Sequence, residues 1–565
     1  DPHYMLEQRG PHARLACTDC HPRDEVSVIP HRPTTAVSCT QTCHLSSASG
    51  AARRFSHVDV ERQLAASVHA PEVLARLRFA GGPLLAPEQS TCLYCHDEPV
   101  FRDPAHVAPV LAALGGRAFD RCESCHRDQV PKDTNYYVRH IGARLQPARA
   151  ALEQAQICAV CHADEAVLED TELSSAVASF VRSFHGKAAL LGDDSTANCS
   201  ACHVAAGADP HLMLAQRDPR SSVHPTQVAN SCRATACHPG ADPGIAAAAV
   251  HLDLPTQRAT LEFAIALAFI VLTAVSFGPS LVICLLELFQ IVIGRHHHRG
   301  PALHATVAAV LAHPQGRARL ARFTVNQRVQ HWILAVLFTL LALTGFPMKF
   351  ADHLWARAVI GALGGLATAR LIHHWAGIAL VIGFAAHFVY CVATLVRRAA
   401  ERRADGRRTG LVQATWNLPM MVRPADLLKA HHLMLYLVGL RREPPTFDRF
   451  TIKEKFEYLG VAWGTTLLGV TGALLWGEQI FTHYVGGRVL NIALIAHTYE
   501  AFLAIIHVGI LHIVNVVFSP HVFPLSRATL SGDTPAAELA EQHSDFVEAA
   551  ARDLGINVPT GGGHG

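Results

Sequence analysis

This chain has little charge for its length. Only 17% of its 565 residues are Asp, Glu, Lys or Arg, against about a quarter in ordinary soluble domains. Hydrophobic residues make up 50% and mean hydropathy is positive, at +0.20, so much of the chain reads as membrane protein. The formal net charge of +2 gives no basic or acidic excess and no reason to expect a nucleic-acid partner. Methionine is scarce, with six residues in all and only Met5 and Met213 in the first 251. Cysteine is almost absent from the second half, where Cys284 and Cys391 lie in apolar runs. No secretory leader is visible ahead of Asp1, and we expect one to have been cleaved or left out of the numbering. The length is too great for one compact core, so at least two domains are expected.

What the first 240 residues do have is fourteen cysteines in seven pairs, each pair followed directly by histidine. Five have the spacing C-x-x-C-H: Cys17–Cys20–His21, Cys92–Cys95–His96, Cys122–Cys125–His126, Cys158–Cys161–His162 and Cys199–Cys202–His203. Cys39–Cys43–His44 has three intervening residues and Cys232–Cys237–His238 has four. Two nearby thiols add to the two vinyl groups of one haem, and the following His lies over the iron as axial ligand. One or two extra residues still present both sulfurs, because the vinyls fix only the ends of the loop. A disulfide framework would not place His after every second Cys. Zinc ribbons usually pair one C-x-x-C with another. The reading is seven c-type haems, in a domain too short to build an ordinary apolar core, where the porphyrins act as core between short helices and long loops.

A sixth ligand for each iron must come from elsewhere. Methionine is too rare to serve many sites. Eleven other histidines precede residue 252: His3, His12, His31, His57, His69, His106, His140, His185, His211, His224 and His251. The distal candidates are His12, His31, His57, His69, His106, His140, His185, His211 and His224. The stretch from Ser183 to His238, beginning "SFHGKAALLG", resembles multihaem cytochromes of the c3 and octahaem sort. In those, the His of "HG" and the His on either side of a motif serve as distal ligands, which here implies His185, His211 and His224. Irons with two His ligands carry electrons and leave no position for substrate. No motif His is replaced by Lys, as a catalytic nitrite-reducing site would have.

Five long apolar segments follow, near 260–293, 329–350, 372–396, 456–477 and 490–518, each reaching the roughly 20 residues that a spanning helix needs. The connections at 294–328 and 397–455 carry six and thirteen Lys/Arg, and those at 351–371 and 478–489 carry two and one. Positive charge stays cytoplasmic, which places the haem domain in the periplasm and the C-terminus inside. Histidines within these segments are a second signal, since polar groups in a bilayer are costly and usually functional. His373 and His387 are fourteen apart, His497 and His512 fifteen apart, about four helical turns in each case. That spacing stacks two haems, one near each leaflet.

The segments "RVQHWILAVLFTLLALTG", "ARLIHHWAGIAL", "DRFTIKEKFEYLGVAWGTTLLGVTGALLW" and "LIAHTYEAFLAIIHVGILHIVN" resemble, in order over 323–518, the dihaem cytochrome b subunit of formate dehydrogenases and nickel-iron hydrogenases. The resemblance implies that His373 and His497 hold the b haem nearer the periplasm. It implies that His331 and His512 hold the one nearer the cytoplasm, with His387 and His507 as alternates. It also implies a quinone beside the cytoplasmic-side haem, contacted from "FTIKEKFEY", where Thr451 and Glu454 replace the usual Asn and Gln. Quinone-site candidates are therefore Thr451, Glu454 and Lys455, with Glu457 and Glu287 as further carboxylates able to move protons.

The whole plan resembles inner-membrane fusions of a multihaem cytochrome c with such a cytochrome b. The expected fold is all-α, a loop-rich multihaem domain followed by a five-helix transmembrane bundle. The expected domains are a heptahaem domain at 1–255, an extra membrane helix and cytoplasmic linker at 256–327, the dihaem cytochrome b at 328–525 and a flexible cytoplasmic tail at 526–565. The expected cofactors are seven c haems, two b haems and a quinone (menaquinone or ubiquinone). The expected activity is quinol oxidation, with electrons passing to a periplasmic cytochrome or other redox protein. Two alternatives stand beside it: a quinone reductase fed by a periplasmic dehydrogenase, and a non-catalytic wire or anchor among other respiratory complex subunits.

Overall fold

The computed structural model describes Asp24 and residues 60–79, 151–204 apart from 172, 174 and 194, 211–233, 237–252, 260–293, 301–314, 320–402, 408–518 and 525–556. Four of the seven expected haem motifs lie outside the described residues, namely those ending at His21, His44, His96 and His126. So do the distal candidates His12, His31, His57, His106 and His140. The described chain is mostly helical. It divides into two compact units.

The first unit takes in residues 1–256 together with 346–369 and 477–491. Its helices are short: Ala151–His162, Ala176–Arg182, Phe184–Leu190, Cys199–His203 and Val228–Cys232. Ser175, Ser183 and Asn198 start three of them by accepting a hydrogen bond from a first-turn backbone N–H, which satisfies donors the helix itself cannot. The core is built from small residues. Ala151, Ala155 and Ala159 pack with Val177, Phe180, Val181 and Leu190, while Ala188 meets Ile360, Leu366 and Ala369. The connections that follow the second and fourth apolar segments are thus folded into the cysteine-rich unit. Asn491 fastens one of them by donating to the carbonyl of Ala249 and accepting from its N–H, both at 2.9 Å.

The second unit takes in 257–345, 370–476 and 492–565. Among the described residues, five helices are long and apolar enough to cross a membrane: Leu261–Gln290, Val325–Lys349, Leu366–Ala400, Ile452–Trp476 and Arg488–Phe518. They are called here the first to fifth spans, and each coincides with an apolar segment expected from sequence. The first span packs Ile283 and Leu286 against Leu433, Tyr436 and Leu437 of the helix Pro424–Leu437. Lys453 bonds both carboxylate oxygens of Glu287 at 2.7 Å. The fifth span changes from α- to π-helix at His507–His512 and again at Val514–Phe518.

The segment after 525, expected to be a flexible tail, carries the helices Ala536–Gln542 and Ser544–Asp553. Val310 and Leu320 are buried against Ala536, Leu539, Val547 and Ala551, and Leu320–Ala321 pairs antiparallel with Asp533–Thr534. The physical reason is amphipathic spacing: Ala536, Leu539 and Ala540 on the first helix, and Val547 and Ala551 on the second, give each helix an apolar face to bury.

Candidate functional site

Histidines meet in twos. In the second unit His373 faces His497, and His331 faces His512, each with ring centres 6.3 Å apart. In the first unit His162 faces His69 at 6.1 Å, His203 faces His251 at 6.2 Å and His238 faces His185 at 6.4 Å. Two imidazoles bonded to one metal from opposite sides, by bonds of about 2 Å each, have ring centres roughly 6 Å apart. All five pairs have that separation, which His431 and His432, consecutive residues of one helix, also show at 6.2 Å. Among the described residues no three His, Cys, Asp or Glu side chains converge as a bare metal ion would require. Pairs of opposed imidazoles instead suit a metal whose other four donors come from a macrocycle.

The hydrogen bonds around the rings fix which nitrogen is free. The Thr344 hydroxyl donates its one proton to the Leu340 carbonyl at 2.7 Å, so it accepts from His373 Nδ1–H at 2.8 Å. Thr471 does the same for His497, donating to Leu467 at 2.7 Å and accepting from Nδ1–H at 2.9 Å. In both rings Nε2 is left with its lone pair, the form that ligates a metal. Each Thr is followed by Gly. A Cβ at Gly345 would stand 2.9 Å from His373 Cε1, and one at Gly472 would stand 3.4 Å from His497 Cε1. The pair His373–His497 is therefore seated by two Thr-Gly steps, one on the second span and one on the fourth. Each step lets a neighbouring ring lie against bare backbone.

For the other pair in this unit, His512 donates Nδ1–H to Glu457 Oε2 at 2.9 Å, and Asn515 steadies the second oxygen at 3.3 Å. His331 Nδ1 is buried without a partner. His497 and His512 are fifteen residues apart, which on a plain α-helix turns His512 about 60° past His497. The π-helical turns between them take more residues per turn and return His512 to its partner.

The first unit repeats the hydroxyl device. Ser179 Oγ donates to the carbonyl of Ser175 at 3.0 Å and accepts from His251 Nδ1–H at 2.9 Å. His238 Nδ1 pairs with Glu478 Oε1 at 3.2 Å, and the carboxylate raises its pKa. Burial lowers the pKa of His162, His203 and His251, and takes His69 down to about 4, with His162 and His203 adding to the shift. These four rings are neutral at pH 7, as ligands must be. The wide motif closes on itself: the N–H of His238 donates to the carbonyl of Cys232 at 3.0 Å, so the longer loop still ends with its histidine beside its first cysteine. The three described motifs are neighbours. Cys199 bonds to Cys158. Burial pushes the Cys202 thiol up to about 11, with Cys232 and Cys237 among the groups that add to the shift.

Other expected residues fall differently. His251 was absent from the distal candidates, yet it is the one opposed to His203; its signal in the sequence is only a histidine ten residues ahead of an apolar run. His224 turns back on its own loop through Thr226 at 2.8 Å. His211 lies two residues before Met213, whose backbone is bonded to Ser67 and Val68. His507 faces Phe456, with ring centres 5.9 Å apart. His387 has both nitrogens engaged, Nδ1 with Gln330 Oε1 at 2.6 Å and Nε2 with Tyr458 Oη at 2.8 Å. Thr451 and Glu454 cap the fourth span reciprocally, Thr451 N–H donating to Glu454 Oε2 at 2.8 Å and Glu454 N–H to Thr451 Oγ1 at 3.3 Å, the arrangement of a capping box. Glu454 also pairs with Arg322 at 2.5 Å, and Lys455 with the buried Asp426 at 2.8 Å.

No family model matches the chain. Over 185 residues, 33% of this chain and 66% of the relative, it is 24% identical to the formate dehydrogenase cytochrome b556 subunit of Haemophilus influenzae. Over 197 residues, 35% of this chain and 78% of the relative, it is 23% identical to the formate dehydrogenase cytochrome b556(fdo) subunit of Escherichia coli K12. The chain thus spans just under two thirds of the length of the Haemophilus relative. Its membrane part is homologous to formate dehydrogenase cytochrome b556 subunits.

Proposed function

We propose that the chain is a cytochrome of the bacterial inner membrane that carries electrons between the quinone pool and periplasmic redox partners. In this reading the membrane unit oxidises menaquinol and a periplasmic cytochrome is the final recipient. The observation that carries it is the 6.3 Å separation shared by His373–His497 and His331–His512, in spans homologous to cytochrome b subunits. His373 and His497 hold one b haem, and His331 and His512 hold the other. His387 and His507 hold none, because among the described residues neither is opposed to a second imidazole and both nitrogens of His387 are engaged.

In the cysteine-rich unit, His162, His203 and His238 would hold c haems joined through Cys158 and Cys161, Cys199 and Cys202, and Cys232 and Cys237. His69, His251 and His185 are their respective opposite ligands. The four remaining motifs complete a set of seven. Bound haem would supply one-electron redox chemistry. The chain's own residues position the rings and set their basicity. Thr344, Thr471 and Ser179 hold Nδ1–H through neutral hydroxyls, whereas Glu457 and Glu478 hold theirs through carboxylates. A carboxylate partner makes an imidazole a stronger donor and favours the oxidised, more positive centre. The distribution of Lys and Arg supports a periplasmic cysteine-rich unit, with 301–321 and 528–556 cytoplasmic.

The test is reduction of purified full-length protein by a short-chain menaquinol. The expected result is appearance of both b and c α-bands, blocked by a quinone-site inhibitor. Absence of quinol reduction in protein that dithionite reduces fully would reject the reading.

A further inference from the structure

We propose that Tyr458 and His387 form the proton-accepting end of the quinol site; this rests on the reading of the chain as a quinol oxidant. Four polar side chains from three spans converge inside the apolar bundle: Gln330 from the second, His387 and Cys391 from the third and Tyr458 from the fourth. Beyond the contacts already given, Cys391 Sγ lies 3.4 Å from His387 Nε2 and 3.8 Å from Tyr458 Oη. Polar groups at membrane depth are costly and cluster where chemistry needs them, and neither haem site uses these four. The cluster nevertheless adjoins one of the imidazole pairs on two helices. Gln330 precedes His331, and Tyr458 follows Glu457, which bonds His512.

The hydrogen bonds give the cluster a direction. The Gln330 carbonyl accepts from Nδ1–H, so His387 Nε2 is a base and receives the Tyr458 proton. The phenol oxygen keeps acceptor capacity for a further O–H, and a quinol offers two.

Oxidation of one quinol to quinone breaks two O–H bonds and releases two electrons. Bound haem would accept these electrons one at a time. Each proton moves onto Tyr458 Oη as the tyrosine's own proton moves to His387 Nε2. The imidazolium so formed keeps its Nδ1–H on Gln330, and must release its proton to water before the second O–H follows. Tyr458 touches the substrate; His387 acts through it.

Stopped-flow reduction of the haem-loaded full chain by a short-chain menaquinol tests this. Tyr458→Phe is expected to lower the limiting rate about 100-fold, the scale of a lost general base. His387→Gln, which keeps an acceptor, should lower it about 10-fold with the half-saturating quinol concentration changed less than about threefold. Both variants should keep wild-type b-haem content and dithionite-reduced spectra. Variant rates within about twofold of wild type, where wild type is reduced by quinol, would overturn the relay while leaving the function standing. Loss of a b haem in His387→Gln would also overturn it, by making His387 an iron ligand. Failure of quinol to reduce the wild type would remove both.

Discussion

At the scale of single residues, the repeated device is a hydroxyl that spends its proton on the preceding helical turn and turns a lone pair to an imidazole. It seats His373, His497 and His251 from three separate helices. A small residue beside the ring matters as much as the hydroxyl, and the two Thr-Gly steps are not equivalent. Gly345→Ala forces a Cβ to within 2.9 Å of His373, whereas Gly472→Ala leaves 3.4 Å to His497. We expect Gly345→Ala to lose one of the two proposed b haems and Gly472→Ala to retain both. The pyridine haemochrome ratio of b to c haem reads the difference. His251→Ala leaves the thioether links of its site untouched, so the expected outcome is unchanged c-haem content with one low-spin iron converted to high spin, seen by electron paramagnetic resonance. Retention of every low-spin signal would show that His251 is not a ligand.

Among elements, the fifth span shows how a helix corrects its own register. Fifteen residues between His497 and His512 do not return to one face of an α-helix, and the π-helical turns at 507–512 absorb the surplus residue. Deleting Gly509 makes the spacing fourteen and lets the segment run as plain α-helix with His512 still near the same face. The expected outcome is two b haems per chain. Inserting one Ala after Gly509 rotates His512 away by about 100°, and the expected outcome is loss of the b haem proposed to lie between it and His331. The capping box at Thr451 and Glu454 is another element-scale feature. Residues that the family resemblance placed beside quinone serve here to start the fourth span, and Glu454 is further tied down by Arg322.

For the whole molecule, the connections 346–369 and 477–491 belong to the cysteine-rich unit although the sequence assigns them to loops between membrane helices. The segment after 525 folds back on 301–321. Truncation after Leu525 would uncover Val310 and Leu320, which are 0% and 9% exposed. We expect lower thermal stability of the membrane unit with unchanged haem spectra, measured by scanning calorimetry alongside absorbance.

By itself the sequence determined the five spans, because about twenty apolar residues in a row have one stable home. It also singled out Cys158–Cys161–His162, Cys199–Cys202–His203 and Cys232–Cys237–His238 as candidate haem sites, because a covalent link to one ligand would demand fixed local spacing. Only the tertiary structure decided which imidazole faces which. His251 and His203, or His185 and His238, are far apart in sequence and meet only when helices pack. The same holds for His387, which shares its spacing with a ligand pattern but finds Gln330 and Tyr458 at its two nitrogens. Local chemistry is written in neighbouring residues; opposition across a cofactor-sized gap is a property of the fold.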